Sequence, residues 1–383
     1  MSKEKIWLSS PHMGGNEQKY INDAFAENWI APLGPNVTEF EKSIKTYLYS
    51  QKLGEQEVAA LSSGTAALHL ALILLGVTRD DEVLCQSMTF AASANPIIYQ
   101  GAKPVFIDSE SKTLNICPEQ LEIAIKDRIS KGKKPKAIIA VHLYGMPYNV
   151  DAVQKVAEEY DIPVIEDSAE ALGSSYKGVK CGTFGRFSVL SFNGNKIITT
   201  SGGGALVTRN SEDKNKAIYL ATQARDDAPH YQHSEIGYNY RLSNICAGIG
   251  RGQMEVLDKR VLARRDMFQF YVNLFKDIDG IKVHEEPGEE YYSNHWLSVI
   301  EIDEKKVGLN REKLRKHLLT EEIESRPLWK PMHMQPVFRN YPFYGTQVAE
   351  NKFNTGLCLP SGSNLTDSDR SRIEKAIMNG LKK

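Results

Sequence analysis

The sequence predicts an α/β protein, with a mostly parallel sheet and crossover helices in its larger part and a smaller α+β unit behind it. Three observations predict this. Short apolar runs alternate with longer amphipathic stretches between residues 58 and 166. Each intervening stretch has the dozen or so residues that a chain needs to cross a sheet and return parallel. Beyond residue 243 a sustained helical period gives way to a mixed pattern of strand and helix. Taken in order, strands are expected at 58–61, 82–85, 104–107, 137–142 and 163–166, with helices at 65–75, 91–99, 118–129 and 150–160 between and before them. Pro118 opens the third of these helices, a position where its missing N–H is harmless. Most of the strands end in a small or polar residue, as strands feeding a functional edge do. After Ser168 short Gly-rich strands at 187–192 and 205–208 flank a hairpin-like excursion over 193–204. A long helix that breaks is expected over 243–277, then a strand at 296–302, a helix at 311–320 and a closing helix at 367–381. The division implied is a large domain over 1–255 and a small one over 256–383, with no internal repeat or low-complexity segment.

Composition limits what such a chain does. Its 383 residues are 41% hydrophobic and 25% charged, values of a globular protein in water, and a net charge of -1 offers no general attraction to nucleic acid. No run reaches the ~18 apolar residues of a membrane span. The first ten residues carry Lys3, Glu4 and Lys5 without an apolar stretch after them, unlike a signal peptide, so a cytoplasmic protein is the expectation. Five scattered cysteines, Cys85, Cys117, Cys181, Cys246 and Cys358, lack the paired spacing of a zinc or redox site, and no His, Asp and Glu cluster has metal-ligand spacing.

Three segments could carry chemistry. Ser62-Ser63-Gly64-Thr65 lies between a strand and a helix, where unpaired N–H groups and hydroxyls suit an anion; a plain tight turn reads the same way. Asp167, in Glu166-Asp167-Ser168-Ala169-Glu170, ends an apolar strand, and a carboxylate there needs a cation unless it merely caps a helix. Lys196 follows Ser191-Phe192-Asn193-Gly194-Asn195 and precedes Ser201-Gly202-Gly203-Gly204; taken alone it would be a solvated lysine.

That order of anion turn, strand-end acid and lysine resembles the aspartate-aminotransferase-like enzymes of fold type I, which use pyridoxal 5′-phosphate. Within them it is similar to the DegT/DnrJ family of nucleotide-sugar aminotransferases. The resemblance runs from Pro11-His12-Met13-Gly14 to Leu359-Pro360-Ser361-Gly362. It implies a three-layer α/β/α large domain with a smaller C-terminal α+β domain. It also implies that Lys196 bonds to the cofactor and shuttles protons, and that Asp167 pairs with the pyridine nitrogen. Gly64, Thr65 and Ser191 would hold the phosphate, with Phe90 over the ring face. Glu170 stands where many members carry Gln or His, so it is expected either to be protonated or to face a substrate amino or hydroxyl group. Asn239, in Gly237-Tyr238-Asn239-Tyr240-Arg241, would reach the cofactor phosphate of a partner subunit, making a homodimer with shared sites; otherwise it caps the following helix. Arg326, Trp329, Lys330 and His333 match the family's substrate loop and suit a nucleotide diphosphate. His142 and Tyr144 are placed near the site, although a buried histidine satisfied by backbone fits His142 equally, and His69 reads as core.

The activity so implied is transfer of an amino group from L-glutamate to C4 of a UDP-linked 2-acetamido-4-keto-2,6-dideoxyhexose, for a bacterial surface glycan. The shared segments are Ile30-Ala31-Pro32-Leu33-Gly34, 192–196 and 326–330. A C3-aminotransferase acting on a dTDP- or GDP-linked keto sugar is the alternative. A sugar dehydratase would have histidine in place of Lys196, and a non-catalytic regulator would need neither Lys196 nor Asp167.

Overall fold

Strands in the first half of the chain are largely apolar and almost wholly buried because helices cover both faces of the sheet they form. In the computed structural model, which describes residues 4–382, eight strands are ordered Glu57–Leu61, Gly204–Thr208, Phe187–Ser191, Val164–Asp167, Ala137–Val141, Glu82–Gln86, Lys103–Ile107 and Phe343–Tyr344. Lys3 and the outermost limits of the two expected domains lie outside the described residues. Gly204–Thr208 alone among these strands runs antiparallel to its neighbours, and the rest share one direction. Alternate residues of each strand serve opposite layers. Val83, Cys85, Ile139 and Ile165 pack toward the helix Gly64–Leu74, while Leu84, Ile138, Ala140 and Val164 pack toward Pro118–Ser130 and Val150–Glu159. Gly64–Leu74 is apolar nearly all round and is correspondingly buried.

Two sequence expectations change. The helix expected at 91–99 is a 3-10 turn, Ala91–Ser93, followed by a short helix, Asn95–Tyr99, because Pro96 has no N–H to continue the ladder and disfavours helical backbone at Asn95. Helices Glu17–Ala26, Pro35–Leu48 and Ser211–Ala221 were not anticipated. The broken long helix is Asn244–Met254 followed by Leu257–Phe275, and residue 255 falls at the break.

A second sheet joins Ile281–Val283, Ser298–Ile302, Gly356–Leu359 and Arg326–Pro327. Each of the two sheets takes something from the far end of the chain. Phe343–Tyr344 extends the large sheet beside Lys103–Ile107, while Ile6 bridges Ile323 and is buried among Phe268, Ile300 and Leu357.

At the centre of the large sheet Glu166 is fully buried with six donors around it. They are His142 Nε2–H, the hydroxyls of Ser168 and Ser188, and the N–H groups of Gly182, Phe184 and Gly185. His142 Nδ1 accepts from Tyr148 N–H, so the backbone-satisfied reading of that histidine is the one realised. Burial alone would raise the Glu166 carboxyl, but hydrogen bonding to His142 and the other donors brings it from 4.5 to about 2. Cys181 lies beside this pair, within metal-ligating reach of both. The oxygens of Glu166 and both imidazole nitrogens already have partners, and burial pushes the thiol well above its ordinary pKa. The cluster is therefore a structural anchor.

Replacing Glu166 by Gln is expected to destabilise the fold by about 3 kcal/mol, since an amide NH2 would face backbone donors. Because the folded carboxyl lies below its unfolded value of 4.5, its contribution is complete above that pH and disappears as pH falls toward 2. Denaturant unfolding across this window should show a steeper acid loss in wild type than in Glu166→Gln.

Candidate active site

Parallel strands with helical crossovers gather their carboxyl ends at one edge, and five of them deliver residues there. Glu57–Leu61 leads into Ser62–Thr65, Glu82–Gln86 into Thr89 and Phe90, Ala137–Val141 into Tyr144, Val164–Asp167 into Glu170, and Phe187–Ser191 ends on Ser191. The result is a cavity of about 330 Å³. Gly64, Thr65, Phe90, Asp167, Glu170, Ser191 and Lys196 all line it, so the cofactor residues expected of one chain's own site are brought together, and Asn239, expected to serve a partner's site, is not among them. A larger open groove of about 1310 Å³ runs along the second sheet; it mixes acidic and basic side chains and contains none of the expected residues.

Ser63 caps the helix Gly64–Leu74 by accepting from Ala66 N–H at 3.0 Å. The helix start thus faces the cavity with N–H groups that lack intrahelical partners. Gly204 permits this approach, because a Cβ there would lie 2.3 Å from Gly64 N. The last glycine of 202–204 therefore lets a strand pass under the turn.

Asp167 is buried and accepts from Ser93 Oγ–H at 2.7 Å and Ala169 N–H at 3.1 Å; Ser93 in turn accepts from Thr89. Burial raises its carboxyl above the ordinary range, with the two donors opposing. Among the described residues no cation lies within ion-pair distance of it. Glu170 is also buried; one oxygen accepts from Tyr144 N–H at 2.7 Å and the other is 3.5 Å from Lys196 Nζ. Its carboxyl too is raised by burial, against the pull of Lys196 and the Tyr144 N–H. Tyr144 has φ of 56°, and this left-handed turn aims its N–H at Glu170 while its hydroxyl accepts from Trp329 N–H at 2.7 Å. Lys196 Nζ rests 4.2 Å from the centre of the Trp296 ring.

The expected substrate loop is only partly at the cavity. Trp329 lines it and packs against Phe90 with ring centres 5.4 Å apart. Arg326 pairs with Glu324 and lines an adjoining cavity of about 270 Å³, which shares Asn195, Trp296 and Trp329 with the first. Lys330 lies outside both walls, and His333 is held by Ser87 and Glu350 and stacked on Phe343. Asn239 is exposed on a segment whose next residue, Tyr240, accepts from Ser62 N–H, so it stands close in sequence to the anion turn yet outside its own chain's cavity. His69 is buried between Tyr240 and Gln100 in the core. Sequence reasoning missed Ser93 and Trp296. A serine in a small-residue stretch and a tryptophan opening a strand carry no local signal of where they point.

The DegT/DnrJ/EryC1/StrS aminotransferase family description matches residues 11–378. The chain is 50% identical over 379 residues to EpsN of Bacillus subtilis (strain 168), named as a pyridoxal phosphate-dependent aminotransferase, covering 98% of this chain and 95% of that one. It is 35% identical over 362 residues to a GDP-perosamine synthase of Escherichia coli O157:H7, covering 94% of each. A DegT DnrJ EryC1 StrS aminotransferase from Brucella abortus superposes with a TM-score of 0.87 at 31% identity, covering 96% of both chains.

Removing the hydroxyl that donates to Asp167 has a defined sign. Ser93→Ala should raise the Asp167 carboxyl further, because the charged form loses a hydrogen-bond donor. Carboxyl carbon NMR shifts followed against pH in the cofactor-free protein measure it.

Proposed function

The chain belongs to the DegT/DnrJ/EryC1/StrS aminotransferase family and is a pyridoxal-phosphate-dependent sugar aminotransferase; on that premise we propose that it transfers an amino group from L-glutamate to C4 of a UDP-linked 2-acetamido-4-keto-2,6-dideoxyhexose. The product, a UDP-linked 4-amino sugar, would serve a bacterial surface glycan. The observation carrying this reading is the convergence of Lys196, Asp167 and a helix start on one cavity.

These residues fit the cofactor. Asp167 is a buried carboxylate with two neutral donors and no cation, which is what a protonated ring nitrogen would supply. Gly64, Thr65 and Ser191 offer N–H and hydroxyl groups to a phosphate at the helix start, where the helix dipole favours an anion. Phe90 stands at the cavity mouth to cover a ring face. When bound, pyridoxal phosphate supplies a carbonyl that accepts the amino nitrogen and a ring that takes up the electron pair of a deprotonated carbon. The chain's part is to hold and to move protons. Asp167 keeps the proton on the ring nitrogen. Lys196 Nζ holds the cofactor between turnovers and carries a proton from one carbon to the other. Trp296 and Trp329 wall the cavity against water, so that each charge inside acts at low dielectric. Glu170, at 3.5 Å from Lys196, is raised toward its neutral form and is placed to steady the amine or a substrate amino group.

For the sugar nucleotide, Arg326 and Trp329 border the second cavity beside the first, and Lys330 and His333 belong to the same loop. The pairing of Arg326 with Glu324 means that a diphosphate would compete with that carboxylate for the guanidinium. A GDP-linked keto sugar is the second reading, favoured by the identity to a GDP-perosamine synthase. Exposed Asn239, near Ser62 through Tyr240, supports a homodimer in which it serves the partner's phosphate.

Two experiments test these statements. Incubation with glutamate and a panel of UDP-, GDP- and dTDP-linked keto sugars, read by mass spectrometry and NMR, should give a 4-amino product from the UDP sugar; a product only from another nucleotide would overturn the UDP assignment. Mixing Lys196→Ala with an impaired Asn239 variant under subunit exchange should restore about half of the sites in each mixed dimer. No recovery despite exchange would reject the shared site.

A further inference from the structure

Arg264 is 1% exposed, and among the described residues no carboxylate pairs with it. A guanidinium in that position is costly unless its donors are well used. Its Nη1–H groups donate to the carbonyls of Trp296 at 2.6 Å and Ser361 at 3.1 Å, and its Nη2–H donates to Ser9 Oγ at 2.9 Å. Two of these partners meet again on one atom. Ser9 Oγ–H and Trp296 Nε1–H both donate to the Asn195 carbonyl, each at 2.7 Å. That carbonyl belongs to the peptide bond leading into Lys196, and two donors occupy both of its lone pairs. The amine at the other end of Lys196 lies over the indole of the same Trp296.

We propose that Arg264 is a positioning residue for Lys196, holding the 195–196 peptide through Ser9 and Trp296 and fixing the indole on which the lysine amine rests. The inference rests on reading Lys196 as the cofactor lysine. It assigns a role to a residue remote in sequence and outside the cavity wall. The groups facing Lys196 are Glu170 and, further off, Asp167; those facing Arg264 are Arg260 and His12. Arg264 and Lys196 thus share Trp296, the guanidinium on its carbonyl and the amine over its ring. Burial, with Arg260 adding to it, lowers its own pKa to about 9, in keeping with a guanidinium that lacks an anion.

The test uses the holoenzyme and follows the pH titration of its visible absorbance, which reads protonation at the nitrogen joining Lys196 to the cofactor. Arg264→Met should move the midpoint up by about one pH unit, because a nearby cation disfavours the protonated form. Arg264→Lys, which keeps the charge, should restore most of it. Ser9→Ala, at a half-buried position, should keep the wild-type melting temperature yet slow rebinding of pyridoxal phosphate to stripped enzyme severalfold, since the Asn195 carbonyl then has one donor. An unmoved midpoint in folded Arg264→Met overturns the proposal, and so does wild-type rebinding in Ser9→Ala, which decides the matter if the Met variant does not fold. Borohydride reduction and peptide mapping accompany each variant. A label on another lysine defeats the reading of Lys196 itself, whereas a label on Lys196 with unchanged titration and rebinding defeats only the role of Arg264.

Discussion

Two acids side by side at the end of a strand are the constraint on which the site depends. Glu166 and Asp167 are consecutive, so the pleat sends their side chains to opposite faces of the sheet. Glu166 meets six donors and ties the loop 182–185 and His142 beneath the sheet. Asp167 meets two and is left facing the cavity. One carboxylate is saturated and the other is not, and the difference separates an anchor from a reactive group. Because Val164–Asp167 sits in the middle of the sheet, the anchored acid fixes the height of its neighbour relative to the strands on both sides.

Within the cavity the charges are few and closely spaced. Burial raises both Asp167 and Glu170, Asp167 adding to the rise at Glu170 and Lys196 opposing it at each, while Trp296 and Trp329 line the cavity around them. Low dielectric makes each of these charges count. At Glu170, where the family resemblance would put Gln or His, burial and Asp167 raise the carboxyl while Lys196 and the Tyr144 N–H pull it down.

Much of this was legible before any coordinates. The strands from 58 to 166 stood out because each is a short run of apolar residues between turn signals, and the turn at Gly64, the acid at Asp167 and Lys196 stood out because, taken in that order, they resemble a known family. What escaped depends on contacts between distant segments. Phe343–Tyr344 is a two-residue strand with no period to detect. Glu17–Ala26 buries only Glu17 and Ala24, so its apolar stripe is too thin to announce a helix. Pro35–Leu48, by contrast, carries Pro35 at its start and buries Val37, Phe40, Ile44 and Leu48 at helical spacing, a signal that was present. In the sequence Trp296 reads only as the start of a strand and Arg264 only as part of a long helix, and the carbonyl of Asn195 reveals what they hold. The neighbourhood of Arg326 is similar: its guanidinium could be anticipated, its partner Glu324 could not.

The strap formed by residues 6–10 has a consequence for how the chain is made. Leu8 bonds Glu324 across 316 positions and Ser10 bonds Asn364 across 354, while Ile6 lies in a cluster completed by Ile373 and Ile377. On the ribosome the strap is made well before these partners. The central strands can pair as they appear, but Ser9 has no Arg264, and the Asn195 carbonyl lacks its second donor Trp296, until those later segments are made. A nascent chain of this protein therefore carries an unfinished cofactor cradle after Lys196 has been made, and completion of the site waits for Arg264, Trp296 and Trp329.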